Sequence, residues 1–108
     1  MSNVESQIKE IVEKNPVVVF MKGTTDAPQC GFSHQTIQCL KAIGVSPLGV
    51  NVLADPAIRQ GVKDFTNWPT IPQVFINGKF VGGCDIVTEM YERGELKQLV
   101  EQTNQNKK

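Results

Sequence analysis

Three thiols and one imidazole, Cys30, Cys39, Cys84 and His34, are the side chains of this sequence best suited to nucleophilic or metal chemistry. Cys30 has the most informative surroundings. It closes the stretch Lys22-Gly-Thr-Thr-Asp-Ala-Pro-Gln-Cys30 and opens Cys30-Gly-Phe-Ser33. A β-branched run, Val17 to Met21, leads into that stretch and an amphipathic segment leaves it near Phe32, which places Cys30 at a strand-to-helix junction. Unpaired backbone N–H groups and the positive end of a helix dipole favour a thiolate there, and Lys22 adds a cation. In a Cys-x-x-Cys motif the second thiol resolves a mixed disulfide, but Ser33 offers a hydroxyl, which forms no S–S bond. Cys30 therefore takes its partner from elsewhere.

The other candidates read differently. Cys39 lies nine residues further on, a rotation of about 180° along a helix, so it cannot face the same metal ion as Cys30 and reads as a buried, idle thiol. Cys84 stays open between a main-chain contact and thiol chemistry. His34 reads as exposed on the first helical turn rather than as a ligand or base. Tyr91 reads as packing.

The elements that position these residues follow from pattern. Ser2 to Glu5 has the form of a capping box, with Val4, Ile8, Ile11 and Val12 at helical spacing behind it. Asn15-Pro16 stops that helix, and Val17 to Met21 follows as a strand buried on both faces. Phe32, Thr36, Ile37, Leu40 and Ile43 form the buried stripe of a second helix that Gly44 ends. Leu48 to Leu53 reads as a short strand, and Asp55-Pro56 caps a third helix packed through Ile58, Val62 and Phe65. Two strands flank Asn77-Gly78 as a hairpin. Asp85 is expected to cap a fourth helix carrying Ile86, Met90 and Tyr91, and Gly94 separates it from a last helix to about Thr103 with Leu96, Leu99 and Val100 inward and a frayed end over 104–108. The order αβαβαββαα predicts one α/β domain: a four-stranded mixed sheet with helices on both faces. A reactive cysteine after the first strand, at a helix N-terminus, is the general thioredoxin-like arrangement.

Bulk composition narrows the function. The 108 residues suit a single domain. Eleven basic residues balance eleven acidic ones, which leaves no electrostatic footprint for nucleic acid. Three unevenly spaced cysteines are unlike the even disulfide framework of a small secreted domain and fit a reducing compartment. No apolar run approaches the roughly 18 residues of a membrane span, and Glu5, Glu10 and Glu13 are unlike an acid-poor transit peptide, so the expectation is a cytoplasmic protein without a membrane partner.

Cys30-Gly-Phe-Ser33, Trp68-Pro69-Thr-Ile-Pro72 and Gly82-Gly-Cys-Asp85, in that order and preceded by Lys22-Gly-Thr, resemble the monothiol glutaredoxins of the CGFS class over nearly the whole chain. The resemblance implies a glutaredoxin fold and glutathione binding. It further implies a [2Fe-2S] cluster held in a homodimer by the active-site cysteine and one glutathione thiol from each protomer. Transfer of clusters to apo iron–sulfur client proteins, storage of clusters, and heterodimers with BolA-type partners also follow from it.

Carried over residue by residue, the resemblance makes Cys30 the cluster ligand and Lys22 a contact for the glycine carboxylate of glutathione, with Arg59 as a second. Pro72 resembles a cis-proline that sets the main chain of Ile71 against the glutathione cysteine. Cys84 and Asp85 resemble the pair that receives the γ-glutamyl end. The residue chemistry is compatible: four thiolates are the usual [2Fe-2S] set, two chains and two external thiols complete that number, and cations with a helix N-terminus suit a dicarboxylate ligand. The competing reading is a glutathione-dependent thiol–disulfide oxidoreductase, with Cys30 as nucleophile and a second glutathione resolving it. A non-redox regulatory module is a third, and the sequence contains no docking motif for it.

Overall fold

The computed structural model describes residues 3–106, with side chains over 4–101. Its centre is strand β1, Val17–Met21, buried at every position. β1 pairs in parallel with β2 (Leu48–Asn51) on one side and antiparallel with β3 (Gln73–Ile76) on the other, and β4 (Lys79–Gly82) completes the sheet in the order β2-β1-β3-β4. Successive side chains of a strand point to opposite faces, and β1 is apolar on both. Val17, Val19 and Met21 enter a core with Ile37, Leu40, Val87 and Leu96, while Val18 and Phe20 enter a second core with Ile8, Val12, Ile58 and Phe75.

Helices α1 (Asn3–Lys14) and α3 (Pro56–Thr66) cover the face of Phe20, and α2 (Gly31–Ala42), α4 (Cys84–Glu92) and α5 (Glu95–Asn106) cover the face of Val19. The expected order and mixed sheet are both present. α1 and α3 approach so closely at Gly61 that a Cβ there would overlap Val4, so the glycine that lowers helix propensity also permits the packing. Asn77 and Gly78 both have positive φ, the conformation of the type I′ hairpin turn.

Several boundaries differ from expectation. Ser2, the first member of the expected capping box, lies outside the described residues. β2 ends at Asn51 rather than Leu53, because the Asn51 side chain accepts the Leu53 N–H at 3.0 Å and turns the chain. Asp85 does not cap α4. Gly83 is the N-cap, in extended conformation and without a side-chain bond, and Asp85 sits in the first turn, where its charge still complements the helix dipole. Cys84 and Val87 are the buried residues of α4 and Met90 packs partly buried against the same core, whereas Tyr91 is 40% exposed rather than packed. α5 continues past Thr103 to Asn106, and residues 107–108 of the expected frayed end lie outside the described residues.

Candidate functional site

Cys30 is the N-cap of α2, in extended conformation, and no side chain caps the helix. The first-turn N–H groups are therefore available to the sulfur. The thiol pKa is lowered chiefly by the Ser33 N–H, against which partial burial works in the other direction; the Phe32 N–H and the charge of Lys22 add smaller contributions of the same sign. The helix terminus rather than the lysine is the main cause of the lowered pKa.

The loop before Cys30 is held at its root. The Lys22 N–H donates to Ser33 Oγ at 3.1 Å, and the Gln29 N–H donates to the Lys22 carbonyl at 2.9 Å. Gly23 has φ +93°, and a Cβ on it would lie 2.6 Å from both the Ala27 carbonyl oxygen and the Gln29 nitrogen. Only glycine fits a left-handed position that crowded.

Two hollows meet beside the thiol. One is lined by Cys30, Pro69 and the cations Lys22, Arg59 and Lys63; the other is lined by Trp68, Pro72, Gly83, Cys84, Asp85 and Ile86. Phe32, Thr70 and Ile71 line both, so they form one cradle. Their volumes, about 350 and 200 Å³, together fall within the ~300–1,000 Å³ of small-ligand sites. None of the three cations has an acidic partner at ion-pair distance among the described residues. The Ile71–Pro72 peptide is cis, as expected. Trp68 packs edge-on against Phe80, and its buried Nε1 has no hydrogen-bond partner among the described residues. The cradle thus has a cationic hollow that Cys30 also lines, and an end formed by a helix N-terminus and a carboxylate.

The family model described as Glutaredoxin matches residues 17–81, from β1 to the hairpin. The chain is 52% identical to an uncharacterized monothiol glutaredoxin (ycf64-like) of Synechocystis over 90% of this chain and 91% of that one. The chain is a monothiol glutaredoxin. It is also 47% identical to the mitochondrial monothiol glutaredoxin-5 of Saccharomyces cerevisiae, over 94% of this chain and 69% of that one. Among solved structures, the reduced apo form of a poplar glutaredoxin superposes with a TM-score of 0.82 at 45% identity, covering 93% of this chain and 92% of that one. A buckwheat glutaredoxin–glutathione complex superposes with a TM-score of 0.83 at 27% identity, covering 94% and 90%.

The structure of this monothiol glutaredoxin separates its thiols. Cys30 is half-buried, and Cys39 and Cys84 are buried. Cys39 turns away from Cys30, as its helical phase requires, but it is not isolated: its sulfur and that of Cys84 each lie 3.9 Å from Thr88 Oγ1. Burial raises the Cys39 pKa, with smaller contributions of the same sign from Cys84 and Glu92, while Thr88 opposes them. His34 is exposed on the first turn of α2.

Phe32 and Lys63 are among the cradle residues that sequence reasoning did not point to. Phe32, expected in the buried stripe of α2, is 63% exposed and bridges the two hollows; Ser33, fully buried, takes the inward position instead. Lys63 joins Lys22 and Arg59 in the cationic hollow. Its signal was present in the sequence, since residues at i and i+4 share a helix face and Lys63 follows Arg59 by four.

Proposed function

We propose that this chain binds glutathione along the cradle and, as two copies with two glutathiones, carries a [2Fe-2S] cluster for delivery to apo iron–sulfur client proteins. The observation that carries the reading is the arrangement around Cys30: an accessible thiol of lowered pKa lies beside a cradle whose unpaired cations face the hollow at one end and whose other end is a helix N-terminus with a carboxylate. Glutathione has carboxylates, an ammonium and a thiol to match those groups. The glutathione complex of the buckwheat relative, in a closely similar fold, supports glutathione as the ligand.

Each residue has a definite task in this reading. Lys22 and Arg59, with Lys63, pair with the glycine carboxylate; the Ile71 main chain, set by Pro72, bonds the glutathione cysteine. The Cys84 main chain at the start of α4 receives the γ-glutamyl carboxylate, and Asp85 receives the ammonium. This alignment leaves the glutathione thiol beside Cys30. The chain's own donors fit a shared cluster: among the described residues no group of three His, Cys, Asp or Glu side chains could hold a metal, so one protomer offers one accessible thiolate. When bound, the cluster supplies a transferable iron–sulfur unit, and four thiolates are its usual ligand set. BolA-type partners fit in place of the second protomer. Three free thiols fit a reducing compartment, for which we retain the cytoplasm. No described helix is long and apolar enough to cross a membrane.

A second reading has its own support in the lowered Cys30 pKa. In it, the Cys30 thiolate attacks the glutathione sulfur of a protein mixed disulfide, the protein thiol leaves, and a second glutathione thiolate regenerates Cys30 while releasing glutathione disulfide. Purification in the presence of glutathione, followed by the visible absorption spectrum and activity on a small mixed disulfide, separates the two readings. A coloured protein with little turnover supports the carrier, whereas a colourless, active protein supports the oxidoreductase.

A further inference from the structure

We propose that Asn51 is a positioning residue for the cationic end of the cradle, holding the peptide that carries Lys22; the inference rests on the glutathione reading above. Asn51 ends β2 opposite Met21, where the pairing of β1 with β2 stops. Beyond the Val52 N–H, which donates to the Met21 carbonyl at 2.8 Å, a side chain takes the place of the β1–β2 ladder, and the loop pairs only with itself through the bridge of Gly23 with Pro28 among the described residues. Asn51 Oδ1 accepts the Gly23 N–H at 2.9 Å and the Leu53 N–H at 3.0 Å. One carbonyl oxygen, with two lone pairs, thus ties the first loop residue after Lys22 to the turn that ends β2.

The loop also lies against the same face of the strand. Gly49 and Asn51 are two apart and share a face, and a Cβ on Gly49 would lie 2.6 Å from Thr25 Cγ2. Together with the Ser33 and Gln29 bonds to Lys22, the Asn51 bond fixes three consecutive polar groups of the main chain: the N–H and carbonyl of Lys22 and the N–H of Gly23. Gly23 is buried, so its N–H has no alternative in water. The Lys22 ammonium has no acidic partner at ion-pair distance among the described residues, and its direction is set through its main chain. Asn51 touches no surface of the cradle, so its effect on the ligand passes through Lys22.

A double-mutant cycle read by calorimetric titration of reduced glutathione into the full-length apo protein tests this, with Gly23 amide exchange as a second readout. Asn51→Ala should weaken glutathione by about three- to tenfold, the equivalent of one hydrogen bond, and should release the Gly23 amide to exchange. Asn51→Asp keeps the acceptor and should retain both. In a Lys22→Ala background, Asn51→Ala should cost nothing further, within about twofold. Asn51→Leu, of similar volume, replaces Asn51→Ala if the smaller side chain lowers the stability of the fold. Wild-type affinity in Asn51→Ala, or effects that multiply in the double variant, overturns the role. If Lys22→Ala itself binds glutathione as the wild type does, the cradle reading fails and this role falls with it, a result distinct from either of those.

Discussion

The buried hydroxyl of Ser33 accepts the main-chain N–H of Lys22 at 3.1 Å, so the last residue of the Cys30-to-Ser33 motif holds the start of the loop that precedes it. Serine is therefore more than an absent second thiol. Its oxygen accepts a hydrogen bond well, whereas a thiol accepts weakly. Ser33→Ala should lower stability by about 1–3 kcal/mol, the range for leaving a buried donor unmet, and Ser33→Cys should lose less. Urea unfolding of the apo protein measures both, and an unchanged midpoint in Ser33→Ala contradicts the clamp.

The thiols should separate in a pH–rate profile of alkylation. Cys30, whose pKa the helix-terminal N–H groups of Ser33 and Phe32 lower, should react below the ordinary cysteine range, and Cys39, raised by burial, above it. The contributions to stability have opposite signs. That of Cys30 is present above the ordinary thiol pKa and is lost as pH falls through the lowered value; that of Cys39 is present below the ordinary pKa and is lost as pH rises through the raised one. Mass mapping of alkylated peptides at graded pH gives the order, and equal midpoints would contradict the assigned environments.

Lys22→Ala and Arg59→Ala should each weaken glutathione binding by about 1–3 kcal/mol, as for a hydrogen bond to a charged group. Lys63→Ala should act in the same direction. None of the three cations is paired among the described residues, so thermal unfolding of the apo forms should barely move. Titration of glutathione at two ionic strengths checks the cause, because the loss should shrink as salt screens the cations. Unaltered affinity in all three variants would mean that the carboxylate binds elsewhere.

Gly23→Ala tests the loop from its other side. The left-handed conformation alone should cost about 1–2 kcal/mol, and contact with the Ala27 carbonyl and the Gln29 nitrogen adds to it. Chemical denaturation should show the loss together with weaker glutathione binding, and a neutral effect would mean that the loop is not packed as described.

The parts legible in the sequence are those with local causes. The apolar run of β1, the Asp55 cap with Pro56 behind it, and the Asn77-Gly78 turn each follow from neighbouring residues, and each is present. The placement of Cys30 at a helix N-terminus was legible for the same reason. Phe32 was not, because helical periodicity admits it to the stripe of Thr36 and Leu40, and only the position of the sheet beneath α2 decides that Ser33 turns inward instead. Asp85 has the residue type of a cap, but the short passage from β4 into α4 gives that position to Gly83. The bond from Asn51 to Gly23 and the approach of Cys39 and Cys84 to Thr88 join residues far apart in the chain. Spacing has no means of pairing them.

In the proposed assembly each protomer offers one cluster ligand and glutathione supplies the other half of the set. Sedimentation of the reconstituted protein, followed at both the protein and the cluster absorbance, tests it most directly. The cluster absorbance should travel with a dimer; removal of free glutathione, or chelation of iron, should bleach the protein and halve its mass together. Cys30→Ser should give neither colour nor dimer, while Cys39→Ser should give both. A cluster that persists in a monomer after exhaustive removal of glutathione would take all its ligands from one chain, and that result would contradict the bridged assembly.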